Sequence, residues 1–228
     1  MEIRQLKDRL LETSALARRL YGLTLTLRNG NSDVSEWFLF NHEKLKYEID
    51  LHKFGIVLDL GAFKGDFTQK IKLNNPHLTF WLYEPILEYF NITTNKFVDE
   101  KNITVHQYGV SADGRNFEMQ VDGLRSRQQL DNSIIKMEVQ SRSIQEIFNS
   151  AMEIELVKMN IEGMEFECLE QLVKSNSLIK ARYLLIQFHN FDHEAKSRRE
   201  ALRKEFDKDF NNLFSYEWMW ELWIRKEK

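Results

Sequence analysis

The stretch GIVLDLGAFKGDF, residues 55–67, constrains the fold of this chain more than any other. Ile56–Leu60 is an apolar run short enough to be a buried strand, yet Asp59 puts a carboxylate inside it. Gly61 and Gly65 follow at once, and beyond them the apolar spacing changes to that of a helix. A buried strand passing through a glycine turn into a helix is the opening unit of a mainly parallel α/β sheet.

The downstream sequence repeats that texture. Strands are expected over 56–60, 78–83, 103–110, 154–160 and 181–189, with a short strand over 116–121 after the Asp113-Gly114 turn. Between them, helices are expected over 66–73, after Pro85, over 143–149 and over 166–173; Ser143 and Glu146 have capping-box spacing. A long charged helix should cover about 193–212, and the alternating YEWMWELWIRK reads as an edge strand packed on helices rather than a sugar-stacking tryptophan cluster. Residues 1–50 read as a helical extension and 51–228 as the α/β domain. Leu6, Leu10, Ala17 and Leu20 recur at helical spacing, which suits docking on the domain better than lying on a membrane.

Composition narrows the function classes. With 228 residues, 43% hydrophobic and 29% charged, the chain is an ordinary globular domain. Its net charge of -3 supplies no field for nucleic acid, and no apolar run approaches the roughly 20 residues that span a bilayer. The single cysteine, Cys168, excludes an intrachain disulfide, and with the charged N-terminus it points to the cytoplasm. Nothing in the sequence fixes the oligomeric state.

In a doubly wound sheet, ligands sit beyond the carboxyl ends of the strands, at the switch in strand order. The glycine turn stands there, but it lacks the G-x-G-x-x-G pattern of a pyrophosphate-binding loop, which disfavours a nicotinamide-dependent oxidoreductase. A ligand with a nucleoside and no phosphate suits it better. Glu84 ends the second strand about 20 residues on, where a carboxylate can hold both ribose hydroxyls. The plainer reading is that Asp59 and Glu84 cap local backbone.

LDLGAFKG, followed by WLYEP and then LVKMNIEGMEFECLEQL, resembles the FkbM family of S-adenosylmethionine-dependent O-methyltransferases over about residues 55–190. That family reads roughly D-x-G-A-N-x-G, F-E-P and I-K-I-D-x-E-G-x-E. The resemblance implies a Rossmann-like class I methyltransferase fold, with helices on both faces of the sheet and S-adenosyl-L-methionine as cofactor. It assigns Asp59, Gly61, Ala62 and Gly65 to the loop under the methionine part, Glu84 to the ribose, and Gly109 and Val110 to the adenine. Phe63, Asn160 and Gln187 stand where the family commonly has asparagine, aspartate and glutamate, departures that bear on the acceptor more than on the cofactor. They equally suit a partner module that binds cofactor without catalysis.

The acceptor side is expected at Lys158, Asn160, Glu162 and His189. A lysine within the strand is costly unless partnered, either by a structural ion pair such as Glu165 or by a substrate oxygen. His189, after the fifth strand, is the expected base for a hydroxyl of a small-molecule or glycan-type acceptor. Glu162 is expected to contact the substrate, and Arg125 to belong to a polar lid. His189 and His193 have H-x-x-x-H spacing, but Asn160 lacks the charge a hard cation wants, so no metal is expected.

Overall fold

The computed structural model describes residues 32–52, 54–122 and 134–227. Its elements are α1 (Ser32–Leu39), a 3-10 turn (His42–Lys46), β1 (Ile56–Leu60), α2 (Asp66–Asn74), β2 (Thr79–Tyr83), α3 (Leu87–Lys96), β3 (Ile103–His106), β4 (Gly109–Ser111), β5 (Phe117–Asp122) and β6 (Ile134–Val139). There follow β7 (Ser141–Ser143), α4 (Ile144–Ser150), β8 (Ile154–Met159), α5 (Glu165–Lys174), β9 (Ala181–Ile186), α6 (Ala195–Asp209), β10 (Phe210–Ser215) and β11 (Glu221–Arg225). The expected amphipathic helix at the N-terminus and Arg125 lie outside the described residues.

Seven strands form one sheet in the order β10-β11-β9-β8-β1-β2-β3. The strands from β3 to β9 run parallel, and β11 is antiparallel to both of its neighbours. Strand order reverses between β1 and β8, so the crevice opens beyond their carboxyl ends. β9 also ends on this side, and the antiparallel pairing of Glu221 with Ile186 brings the β10–β11 turn there too.

Side chains alternate between two cores, as the two-residue period of a strand requires. Leu58, Leu60, Val157, Met159, Leu184 and Ile186 pack with buried residues of α4, α5 and α6. Val57, Phe80, Leu82, Leu156, Tyr183 and Leu185 pack on the opposite face with Phe67 and Ile71 of α2. Trp37 of α1, 1% exposed, belongs to that second core, so residues 32–51 cover the sheet rather than trail from it. Ser143 caps α4 where the sequence places the helix start, but its hydroxyl accepts the Gln145 N–H at 3.2 Å rather than the Glu146 N–H of a capping box.

Three expectations are corrected. The third strand is not continuous: β3 joins the main sheet, whereas β4 leaves it to pair with β7. The charged helix stops at Asp209, and Phe210 starts β10, whose backbone finds a partner in β11. The tryptophan-rich strand is internal, because β10 takes the edge beyond it. Its Trp223 is fully buried against Phe206 of α6, and Trp218 turns the chain with φ 61°.

Candidate active site

Asp59 and Lys158 are register partners on adjacent parallel strands, and the alternation puts both on the same face. Both are buried, with 3.0 Å between Asp59 Oδ1 and Lys158 Nζ. The ammonium also donates to the Gly61 carbonyl at 2.6 Å, and Thr68 of α2 donates to Asp59 Oδ2 at 2.7 Å. Strand register therefore answers the cost of a lysine inside β8. Lys158 is committed beneath the glycine loop, and its partner is Asp59 rather than Glu165.

The loop above that pair is closed on itself. Gly61 and Ala62 both donate N–H to the Tyr83 carbonyl at 3.0 Å, Phe63 N–H donates to Glu84 Oε2 at 2.8 Å, and Gly65 N–H returns to the Ala62 carbonyl at 2.8 Å. Four of the loop's N–H groups, those of Gly61, Ala62, Phe63 and Gly65, are thus spent internally rather than turned toward a ligand. Gly61, at φ 78°, is bare for a stated reason: a β-carbon there would lie 1.9 Å from the Asn160 carbonyl oxygen. Phe63 has φ 52°, a left-handed conformation that asparagine adopts far more readily. Its ring packs on Tyr89 of α3 at a centroid distance of 4.2 Å, with the Lys64 ammonium above both rings.

Glu84 is buried at the end of β2, and its second oxygen accepts the Ile86 N–H at 2.9 Å. Burial pushes its carboxyl up to about 7, against the two backbone hydrogen bonds that favour the charged form. Each oxygen accepts one N–H and retains a lone pair for a ligand hydroxyl.

Gly109 and Val110 stand in β4, paired with β7 outside the main sheet. At Gly109 the space a β-carbon would need is held by Val139 and Phe117, so that glycine's bareness serves internal packing. Val110 is buried in the first core.

Beyond β8 and β9 a second group converges. Glu165, fully buried in the first turn of α5, accepts N–H from Ile161 (3.0 Å) at Oε1 and from Gly163 (2.8 Å) at Oε2. His189 Nδ1 lies 2.7 Å from Glu165 Oε1, and Nε2 lies 3.7 Å from Oε2 of the exposed Glu162. The imidazole stacks on the exposed Phe191 ring at 5.1 Å. Burial acts to lower the His189 pKa, but the Glu165 hydrogen bond and the charges of Glu165 and Glu162 outweigh it, leaving the value above that of ordinary imidazole. Asn160 Oδ1 is buried with no hydrogen-bond partner among the described residues. Among the described residues, no group of three His, Cys, Asp or Glu side chains is placed to hold a metal ion.

Sequence reasoning missed Thr68, which completes the Asp59 environment, and gave Glu165 the wrong partner: weighed as the counter-ion of Lys158, it instead binds His189 and the 161–163 loop.

The chain matches the family model of the methyltransferase FkbM domain over residues 59–216. Its fold is similar to methyltransferase FkbM from Methylobacillus flagellatus KT, with TM-score 0.53 and 16% identity; the match covers 92% of this chain and 59% of that one. A Clostridium thermocellum protein provisionally assigned as an rRNA methylase matches with TM-score 0.51 and 11% identity, over 83% of this chain and 95% of that one. At these identities the likeness establishes a Rossmann-like methyltransferase fold. No curated protein matches the sequence.

Proposed function

The chain belongs to the FkbM methyltransferase domain family, and on that premise we propose that it transfers a methyl group from S-adenosyl-L-methionine to a hydroxyl of a small-molecule or glycan-type acceptor. The residues present fit that cofactor. Glu84 offers two partly free carboxylate oxygens to a ribose diol. The self-bonded loop suits a nucleoside without phosphate. Asn160 Oδ1 is a buried acceptor in need of an N–H donor, which the amino group of the methionine part supplies.

When bound, the cofactor contributes a methyl carbon already activated by a positive sulfur. The protein must then align the acceptor oxygen with that carbon and take up the proton the oxygen loses. The observation that carries the hydroxyl reading is His189, held at Nδ1 with its other ring nitrogen beside the exposed Glu162. A base of this kind is worth about 10²–10⁴-fold.

Titration calorimetry with S-adenosylmethionine and S-adenosylhomocysteine tests the cofactor. Both should bind, and Glu84→Ala should abolish binding; no heat at millimolar ligand sinks the proposal. Cell extract incubated with a methyl-labelled donor then tests the acceptor. An alkali-stable O-methyl product supports transfer to a hydroxyl, whereas a methyl ester or N-methyl product overturns it.

A further inference from the structure

Glu165 is fully buried, yet no lysine or arginine among the described residues is paired with it; its partners there are two loop N–H groups and one imidazole. An ionised carboxylate only accepts hydrogen bonds, so the nitrogen 2.7 Å from its Oε1 must carry the proton. This selects the Nδ1–H tautomer of neutral His189 and leaves Nε2 as the ring's free nitrogen. Gly163 N–H binds the other oxygen, so the same carboxylate fixes the loop that presents Glu162 to Nε2.

We propose that Glu165 is the positioning residue of the transfer step, holding His189 in the one tautomer that can accept the acceptor's proton while bracing the loop at the rim of the crevice. This rests on the hydroxyl-methylation reading above. In the step, the acceptor oxygen forms its bond to the methyl carbon, and the electron pair of the broken carbon–sulfur bond stays on sulfur. The hydroxyl proton passes to Nε2 of His189, and the resulting imidazolium is stabilised by the Glu165 carboxylate. No further reactant is needed.

The charged groups facing His189 are Glu165 from α5 and Glu162 from the preceding loop. Phe191, stacked on the ring, is uncharged, and Arg198 of α6 is committed to Glu170 at 2.7 Å. Both facing charges favour the imidazolium. The free base is therefore reached at a higher pH than in an ordinary imidazole, and transfer should rise with pH through that raised value.

Nitrogen NMR of protein labelled in its six histidine rings tests the assignment without cofactor or acceptor, with His189→Ala identifying the signal. In the wild type, the neutral ring should carry its proton on Nδ1 and titrate above about 6.5. In Glu165→Gln the titration should fall and the tautomer shift toward Nε2–H, which free histidine prefers. Glu165→Asp, which keeps the charge, should retain the wild-type tautomer. Label transfer into extract should slow by about 10²-fold or more in Glu165→Gln, with its pH midpoint lowered. A wild-type ring protonated on Nε2 overturns the proposal, as does an unchanged tautomer and titration in Glu165→Gln. The wild-type spectrum decides even if that variant fails to fold. Absence of methyl transfer would instead overturn the proposed activity and leave the tautomer assignment standing.

Discussion

The two sides of the crevice treat their polar groups in opposite ways. On the β1–β2 side, Asp59 is bonded by Thr68 at Oδ2 and meets the Lys158 ammonium at Oδ1 as an ion pair without a hydrogen bond. The glycine loop closes on itself, and each Glu84 oxygen is tied to one N–H, from Phe63 or Ile86. On the β8–β9 side, among the described residues, Asn160 Oδ1 has no hydrogen-bond partner, Glu162 is exposed, and His189 is hydrogen-bonded through Nδ1 alone. The first side is rigid before any ligand arrives, so binding costs it little reorganisation. The second keeps unspent hydrogen-bonding capacity, the resource a reacting or recognised group requires.

The largest effect that could break this contrast lies beneath the loop. Lys158→Met strands a buried carboxylate and should destabilise the protein by about 3–5 kcal/mol in denaturant unfolding. Pairing it with Asp59→Asn should restore a large part of that loss. A mild single-variant effect would mean that the rigid side is not held by this pair.

Glu84 comes next. Glu84→Gln should weaken S-adenosylmethionine by about 1.5–3 kcal/mol, read by calorimetry, because a charged acceptor for two hydroxyls is lost. In the wild type, affinity should fall as pH drops below about 7, where the carboxyl gains its proton, and this dependence should vanish in the variant. The stability of the free protein runs the other way. The folded Glu84 pKa lies above its unfolded value, so its contribution is fully present below the unfolded pKa and is lost as pH rises toward 7. A thermal-melting series from pH 5 to 8 on wild type and Glu84→Gln separates this group from the rest.

The smallest effect sharpens the open side. Asn160→Ala removes a buried acceptor that has no partner among the described residues, so unfolding should change by less than about 1 kcal/mol, in either direction. Cofactor affinity should nevertheless fall. A large loss of stability would show that Asn160 belongs with the closed side.

Much of this molecule was legible in the residues. GIVLDLGAFKGDF announced the strand, turn and helix, and Glu84 was singled out by its distance from the turn, at the end of the second strand. His189 was singled out because it ends the fifth strand at the crevice and imidazole is the natural base near neutral pH. What stayed hidden has one cause: it depends on which residues become neighbours across strands. Lys158 was visibly in need of a partner, but in one dimension the nearby Glu165 was the acid weighed for it, and Asp59 was not. Only the parallel register of β1 and β8 puts Asp59 opposite. β10 was hidden for the same reason. The helical period runs on through Asp209, and only the backbone of β11 makes an extended chain the better use of Phe210–Ser215.

The sequence by itself therefore determined the alternation of buried strands and amphipathic helices, the glycine turn and the chemical types at the strand ends. These follow from local spacing and side-chain chemistry. Tertiary structure alone decided that Asp59 neutralises Lys158, that Gly61 is bare to admit the Asn160 carbonyl, and that Glu165 turns from a helix-terminal acid into the partner of His189. Each of these depends on a close approach between segments distant in the chain, and the energy of burying a charge or a carbonyl is set by that approach rather than by the local sequence.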